Sequence, residues 1–420
     1  MFTRLIPRGV DVSIAPVFAA RALRGFADGF VAVLLPVYLL AMGFGAVEVG
    51  AIATATLLGS ACATLAVGAW GHQWSGKALM LAAALLMAAT GLAFASIQTF
   101  WPLLLVAFVG TLNPSSGDVS IFLPLEHAKL AAASEAATNA TSDATSDPAS
   151  RTDVFARYAL TGALCAALGA LASGLLDRVV AIAGIDRLTA LRGMFLLYGV
   201  IGLAVWRLYG RLPGADDSVG EKPAPLSQSR AVVVKLAALF SVDSFAGGLV
   251  VNSLLALWLF QRFGLSLAAA GMFFFASGLL GSASQLAAPR LARRIGLVNT
   301  MVLTHIPASL CLICAAFAPR VELALGLLLV RALVSSMDVP ARSAFVMSVV
   351  QPHERAAAAS FTAVPRSLAS AISPVLAGWL FQSGWAAAPL VACGVLKIAY
   401  DLALWRAFRL HQHGGHRPAQ

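Results

Sequence analysis

The membrane-spanning pattern of this chain is written twice, at a nearly constant spacing. Phe26-Ala27-Asp28-Gly29 returns as Phe245-Ala246-Gly247-Gly248, 219 positions later, and Gly43-Phe44-Gly45 returns as Arg262-Phe263-Gly264 at the same offset. Asp118-Val119 returns as Asp338-Val339 at an offset of 220. Farther on, residues 168–174 align best with 372–378, an offset of 204, and the drop coincides with a polar low-complexity stretch at 132–150. That stretch reads as an insertion in the first half. A steady offset across several short matches constrains the fold more than any one of them. Two similar helical halves can enclose a path that opens to one side at a time.

Composition puts those halves in lipid. The chain is 59% hydrophobic and 11% charged, with a mean hydropathy of +0.84, whereas soluble domains are about one quarter charged. A spanning helix needs about 20 apolar residues, because every backbone N–H and C=O must be satisfied internally. Twelve such segments are predicted, near 16–42, 46–70, 78–98, 100–124, 154–176, 190–209, 236–260, 267–288, 297–318, 321–349, 357–382 and 385–405. The expected architecture is an all-α membrane protein of two pseudo-symmetric six-helix bundles, at 1–206 and 236–405. A cytoplasmic linker at 207–235 joins them, and 406–420 forms a tail. The N-terminus lacks a short apolar core followed by a small-residue cleavage site, so the first helix reads as retained.

Charge sets the orientation. Of the 29 Lys and Arg residues, 18 fall on the side of both termini, five in the opposite loops and six inside spans. The positive-inside rule then places both ends in the cytoplasm, and the expected location is a bacterial inner membrane. The net charge of +10 reads as loop flanking toward anionic inner-leaflet lipid. It is not a nucleic-acid footprint, because the basic residues are dispersed and lack interleaved aromatics. Mixed charge with Pro and Gly marks the linker as solvated, and 132–150 is expected to be disordered.

With these features the chain resembles the major facilitator superfamily of secondary transporters. Members have two six-helix bundles, a long central cytoplasmic loop, and a signature near G-x-L-A-D-R-x-G-R after the second helix of each half. Here Pro289-Arg290-Leu291-Ala292-Arg293-Arg294-Ile295-Gly296 keeps the Leu-Ala, an arginine and the glycine. The first-half loop keeps Gly68 and a closing Lys77, with His72 where the family has Asp. The resemblance extends to the efflux-type branch through Gly162, Gly169 and Gly174 on the fifth span, although the Gly-Pro pair of that branch is absent; Pro374 breaks the matching helix of the second half. It implies alternating access, with the first, fourth, seventh and tenth helices lining the path.

Other motifs carry no chemistry. Gly71-His72-Gln73-Trp74-Ser75-Gly76-Lys77-Ala78 imitates a phosphate loop, but Ala78 replaces the magnesium-binding Ser or Thr and no strand precedes it. Cys311 and Cys314 sit in an apolar helix without a second ligand pair, so no metal and no cofactor are expected. No cluster of catalytic side chains emerges, and an enzymatic role is not expected. Energy is then expected from an ion gradient.

The chemistry is expected in ionisable groups inside spans, each costing about 2.5–3.5 kcal/mol at a helix centre on insertion scales. Arg21, Arg24 and Asp28 share one face of the first helix. The fourth carries Asn113 and Asp118 around Pro114, the seventh Asp243 and Asn252, and the tenth Arg331, Asp338 and Arg342. The offset makes Arg24 and Asp243 equivalent positions of opposite charge. Arg24, Asp28, Asn113, Asp243, Asn252 and Arg331 are assigned to the substrate and proton pathway, with Asp28 and Arg331 at its centre. Asp118, Asp338 and Arg342 are assigned to a cytoplasmic gate. Lys397 and Asp401, four residues apart on the twelfth span, are expected to neutralise each other. The expected function is proton-coupled efflux of a small solute by a monomer. The alternative is uptake of a small organic anion held by the intramembrane arginines. A receptor, a scaffold or a membrane enzyme ranks below both.

Overall fold

The computed structural model describes residues 14–115, 120–140, 148–213, 229–351 and 354–408. Among the described residues the regular structure is helical throughout. The first half runs through α1 (Ala15–Ala41), α2 (Ala46–Trp70), α3 (Gly76–Ser96), α4 (Phe100–Val109), α5 (Phe122–Ala140), α6 (Pro148–Ser173), α7 (Leu176–Ala183) and α8 (Arg187–Gly210). The second runs through α9 (Arg230–Gly248), α10 (Asn252–Phe263), α11 (Leu267–Ile295), α12 (Leu297–Ala316), α13 (Val321–Ser335), α14 (Asp338–Val349), α15 (Arg355–Gln382) and α16 (Ala388–Phe408).

Ten stretches of the described chain are long and apolar enough to cross a membrane, with α9–α10 and α13–α14 each counting as one. The other two expected segments depart from a plain span. The fourth is not one helix over 100–124: α4 stops at Val109 and α5 starts at Phe122. Pro114 has no N–H to donate and pushes Asn113 out of helical geometry, so the helix cannot run through. The eleventh, α15, contains Pro365, Pro374 and Arg366 and is correspondingly less apolar. Large apolar side chains such as Trp101 and Ile182 stand exposed, as lipid-facing groups do.

Two compact units divide the chain. One comprises Met1–Phe44, Ala55–Gly220 and Ser266–Phe275; the other comprises Gly45–Thr54, Glu221–Leu265 and Ala276–Gln420. The division falls inside the stretch read as the linker. The opening residues of α2 and α11 each belong to the opposite unit from the rest of their helix. Helix α8 extends to Gly210 and α9 begins at Arg230, so both reach into the 207–235 stretch. The insertion is also more ordered than expected: α5 continues to Ala140 and α6 starts at Pro148. Its alanines are strong helix formers, which explains the extension.

The sequence repeat is also a packing repeat. In the first unit α1 packs on α6 and α8, and α3 packs on α8. In the second α9 packs on α15 and α16, and α12 packs on α16. Counted as spans, one–five, one–six and three–six become seven–eleven, seven–twelve and nine–twelve. The α1–α6 crossing is close enough to require glycine. A Cβ on Gly29 would lie 1.9 Å from the Ala166 carbonyl oxygen, and a Cβ on Gly169 would lie 1.9 Å from that of Phe26. Small residues let helices approach this closely in lipid, where dispersion contacts replace the hydrophobic drive.

Candidate functional site

In the first unit Arg24 lies on α1 with only 3% of its surface exposed, and its Nη2 donates to Oε2 of Glu126 on α5. Tyr158 of α6 donates its hydroxyl to the same oxygen, and Tyr209 of α8 donates to Oε1 at 2.6 Å. The Arg24 guanidinium lies 4.1 Å from the Phe122 ring centre, and that of Arg21 lies 5.0 Å from the Tyr158 ring centre. Glu126 is fully buried. Three helices, α1, α6 and α8, therefore supply donors to one carboxylate on α5. Removing one partner of such a buried pair typically costs about 3–5 kcal/mol, because the other charge is left uncompensated.

Asp28 sits one helical turn beyond Arg24 and is half-buried rather than sealed. Arg24, Arg21 and the Tyr198 hydroxyl are among the groups that interact with its charge. Tyr198 in turn donates to the Thr111 carbonyl at 3.0 Å, within the α4–α5 break. Asn113 is buried in that break, where its Oδ1 accepts from the Ser115 amide at 3.2 Å and the Ser115 hydroxyl at 2.7 Å. It stabilises the turn with its own side chain. Asp118 lies outside the described residues.

In the second unit Asp243 of α9 receives Lys397 Nζ of α16 at 2.6 Å and Arg342 Nη2 of α14 at 3.2 Å. Arg342 also binds Asp338, one turn back on its own helix. Lys397 Nζ lies 3.5 Å from His305 Nε2 on α12, and His305 Nδ1 lies 3.2 Å from Asp401 Oδ1. The structure therefore joins Asp243, assigned to the pathway, to Asp338 and Arg342, assigned to the gate. It also replaces the expected Lys397–Asp401 pair. Each of the two reaches a different helix, because the burial of Asp243 and His305 makes cross-helix partners available where an i, i+4 contact would leave them unmatched. Asn252 opens α10 and is half-buried. Arg331 on α13 is half-buried and makes no ion pair among the described residues.

Two residues of the loop motif, Lys77 and Gly296, have a structural explanation. Lys77 donates to the carbonyls of Gly210 at 3.0 Å and Leu212 at 2.5 Å, holding the C-terminus of α8. A cation there meets the unsatisfied carbonyls and the negative end of the helix dipole. Gly68 is in the last turn of α2, and His72 is in the 3-10 turn that follows. Arg293 and Arg294 are exposed in the last turn of α11. Gly296 separates α11 from α12 at φ +88°, a conformation that disfavours side chains.

Glu126, Tyr158, Tyr209 and His305 did not stand out in the sequence. Glu126 lies just past the predicted end of the fourth span and read as a loop residue. The repeat held a signal: Glu126 and Arg342 are 216 apart, close to the offset that relates Arg24 to Asp243.

A family model described as Major Facilitator Superfamily matches residues 17–334 and 244–419. An uncharacterized membrane protein of Saccharomyces cerevisiae is 22% identical over 423 residues, covering 92% of this chain and 92% of its own length. The solved nucleoside transporter NupG superposes with a TM-score of 0.70 at 15% identity, covering 95% of this chain and 100% of its own. A D-xylose-proton symporter superposes with a TM-score of 0.67 at 13% identity, covering 94% of this chain and 97% of its own. At such identities the structural likeness carries the fold alone.

Proposed function

The chain belongs to the Major Facilitator Superfamily, and from that premise we propose that it is a proton-coupled secondary transporter that exports a small solute, with Asp28 as the coupling carboxylate. One observation carries this reading: within the first unit's charge cluster the Arg24–Glu126 pair is sealed, whereas Asp28 is the carboxylate that remains partly exposed. A carboxylate poised between desolvation and two neighbouring arginines can exchange a proton or a solute as its surroundings change. The loop charge asymmetry supports cytoplasmic termini. The transported solute is chemically small and enters no covalent step.

Overexpression followed by a screen for altered compound toxicity identifies the solute and the direction together. Flux of that solute into or out of proteoliposomes under a pH gradient then tests coupling. Asp28→Asn is expected to abolish gradient-driven flux while the protein still inserts and purifies normally. Full flux in that variant would remove Asp28 from the mechanism.

Uptake of a small organic anion is the second reading. Arg331 supports it, being half-buried and without an ion pair among the described residues. It predicts that Arg331→Gln selectively weakens transport of carboxylate-bearing compounds. Equal loss for neutral compounds argues against it.

A further inference from the structure

The second unit holds a chain of polar contacts that Asp28 chemistry does not use. Lys397 faces Asp243 at 2.6 Å and must be an ammonium there, with only N–H groups to offer. His305 Nε2, 3.5 Å away, is therefore an acceptor, so the ring proton sits on Nδ1 and points to Asp401 Oδ1 at 3.2 Å. Asp401 is 0% exposed, and its Oδ2 has no partner among the described residues. An ionised oxygen left buried without a donor is costly, and a proton on it lowers the cost by removing the charge.

Charge balance points to the same place. The contacting cluster holds three carboxylates, Asp243, Asp338 and Asp401, against two cations, Arg342 and Lys397. Arg366 on α15, Arg331 on α13, and Cys393 and Tyr400 on α16 are the other titratable or charged neighbours. Neither arginine makes an ion pair among the described residues, and Arg366 is exposed. With a neutral imidazole, the cluster has one carboxylate more than its contacting cations match. One proton closes the difference.

We infer that His305 and Asp401 hold one exchangeable proton, a second protonation site separate from Asp28. Its part in transport rests on the proton-coupled reading above; its existence does not. A proton from bulk binds either Oδ2 of Asp401, giving a neutral acid, or Nε2 of His305, giving an imidazolium, and no other bond forms or breaks. On Nε2 it sets an N–H against the Lys397 ammonium and drives that lysine harder onto Asp243. Occupancy on α12 and α16 is thereby felt on α9 and, through Arg342, on α14.

Histidine-selective 15N NMR of the full chain in liposomes, with protons as the only ligand, tests this. The His305 signals are assigned by their loss in His305→Gln, whose amide can both donate and accept in the same place. The expected result is an Nδ1–H tautomer at high pH and a change of the ring signals as pH is lowered. That transition is expected to shift along the pH axis in Asp401→Asn and to stay put in Asp28→Asn. An Nε2–H tautomer, signals constant over the whole pH range in which the protein stays folded, or an unshifted transition in Asp401→Asn would each overturn the inference. Failure of proton coupling reads differently, as flux indifferent to the pH gradient and to Asp28→Asn with the His305 titration intact.

Discussion

Both halves place a buried ion pair between their first helix and their fourth span, with the polarity reversed. The first unit has the arginine on α1 and the carboxylate on α5; the second has the carboxylate on α9 and the arginine on α14. The surroundings differ more than the pairs do. Two tyrosine hydroxyls add neutral donors to Glu126, one on each carboxylate oxygen, which satisfies the pair further without adding charge. Asp243 and Arg342 are instead completed by Lys397 and Asp338, and Lys397 leads on to His305 and Asp401. A duplicated position has become a sealed staple in one unit and a titratable chain in the other. Backbone symmetry therefore survives in the packing pairs but not in the protonation chemistry.

The sealed pair is expected to show the largest stability effect. Glu126→Ala leaves the buried Arg24 guanidinium without its ion-pair partner, a loss of about 3–5 kcal/mol in thermal unfolding of the purified protein. A loss below about 1 kcal/mol would mean that the first pair is not sealed, and the comparison would fail. Asp243→Asn is expected to cost less, about 2–3 kcal/mol, because Arg342 keeps Asp338 and Lys397 keeps the His305 nitrogen. A greater cost than for Glu126→Ala would reverse the ranking of the two sites. Tyr209→Phe removes one hydrogen bond to a charged acceptor that keeps two other donors, a loss of about 1.5 kcal/mol. If Tyr209→Phe is silent, the neutral donors do not close the pair.

The fold was legible where a pattern extends over many residues, and the site was not where it depends on a few side chains meeting. Hydropathy marked the ten stretches long and apolar enough to cross a membrane, and the repeat offset related the two halves, but Pro114 alone did not tell that α4 stops at Val109 and α5 starts at Phe122. Pairing between helices was a different matter. Lys397 and Asp401 satisfy the i, i+4 rule, but nothing local reveals that Asp243 and His305 lie closer to them in three dimensions. Glu126 was hidden for a related reason. Hydropathy ends a span at its first charge, and only a partner such as Arg24 makes burial of that charge affordable. The alanine-rich 132–140 segment is helical despite its low complexity, because alanine is the strongest helix former.

The smallest effect separates the two loop motifs. Lys77 holds two carbonyls at the C-terminus of α8, whereas Arg293 and Arg294 are exposed at the C-terminus of α11. The lysine does specific work and the arginines supply general charge near a helix end. Lys77→Met keeps the aliphatic stem and removes the donors, so a loss of about 0.5–1 kcal/mol is expected. Arg293→Gln and Arg294→Gln are expected to stay within about 0.5 kcal/mol of the parent, as exposed charges usually do. Hydrogen exchange of the last turn of α8 offers a local reading, since faster exchange there in Lys77→Met places the loss at the cap. Equal effects for Lys77 and the two arginines would make the motif a shared charge device in both halves, and the asymmetry drawn between the units would then not reach their loops.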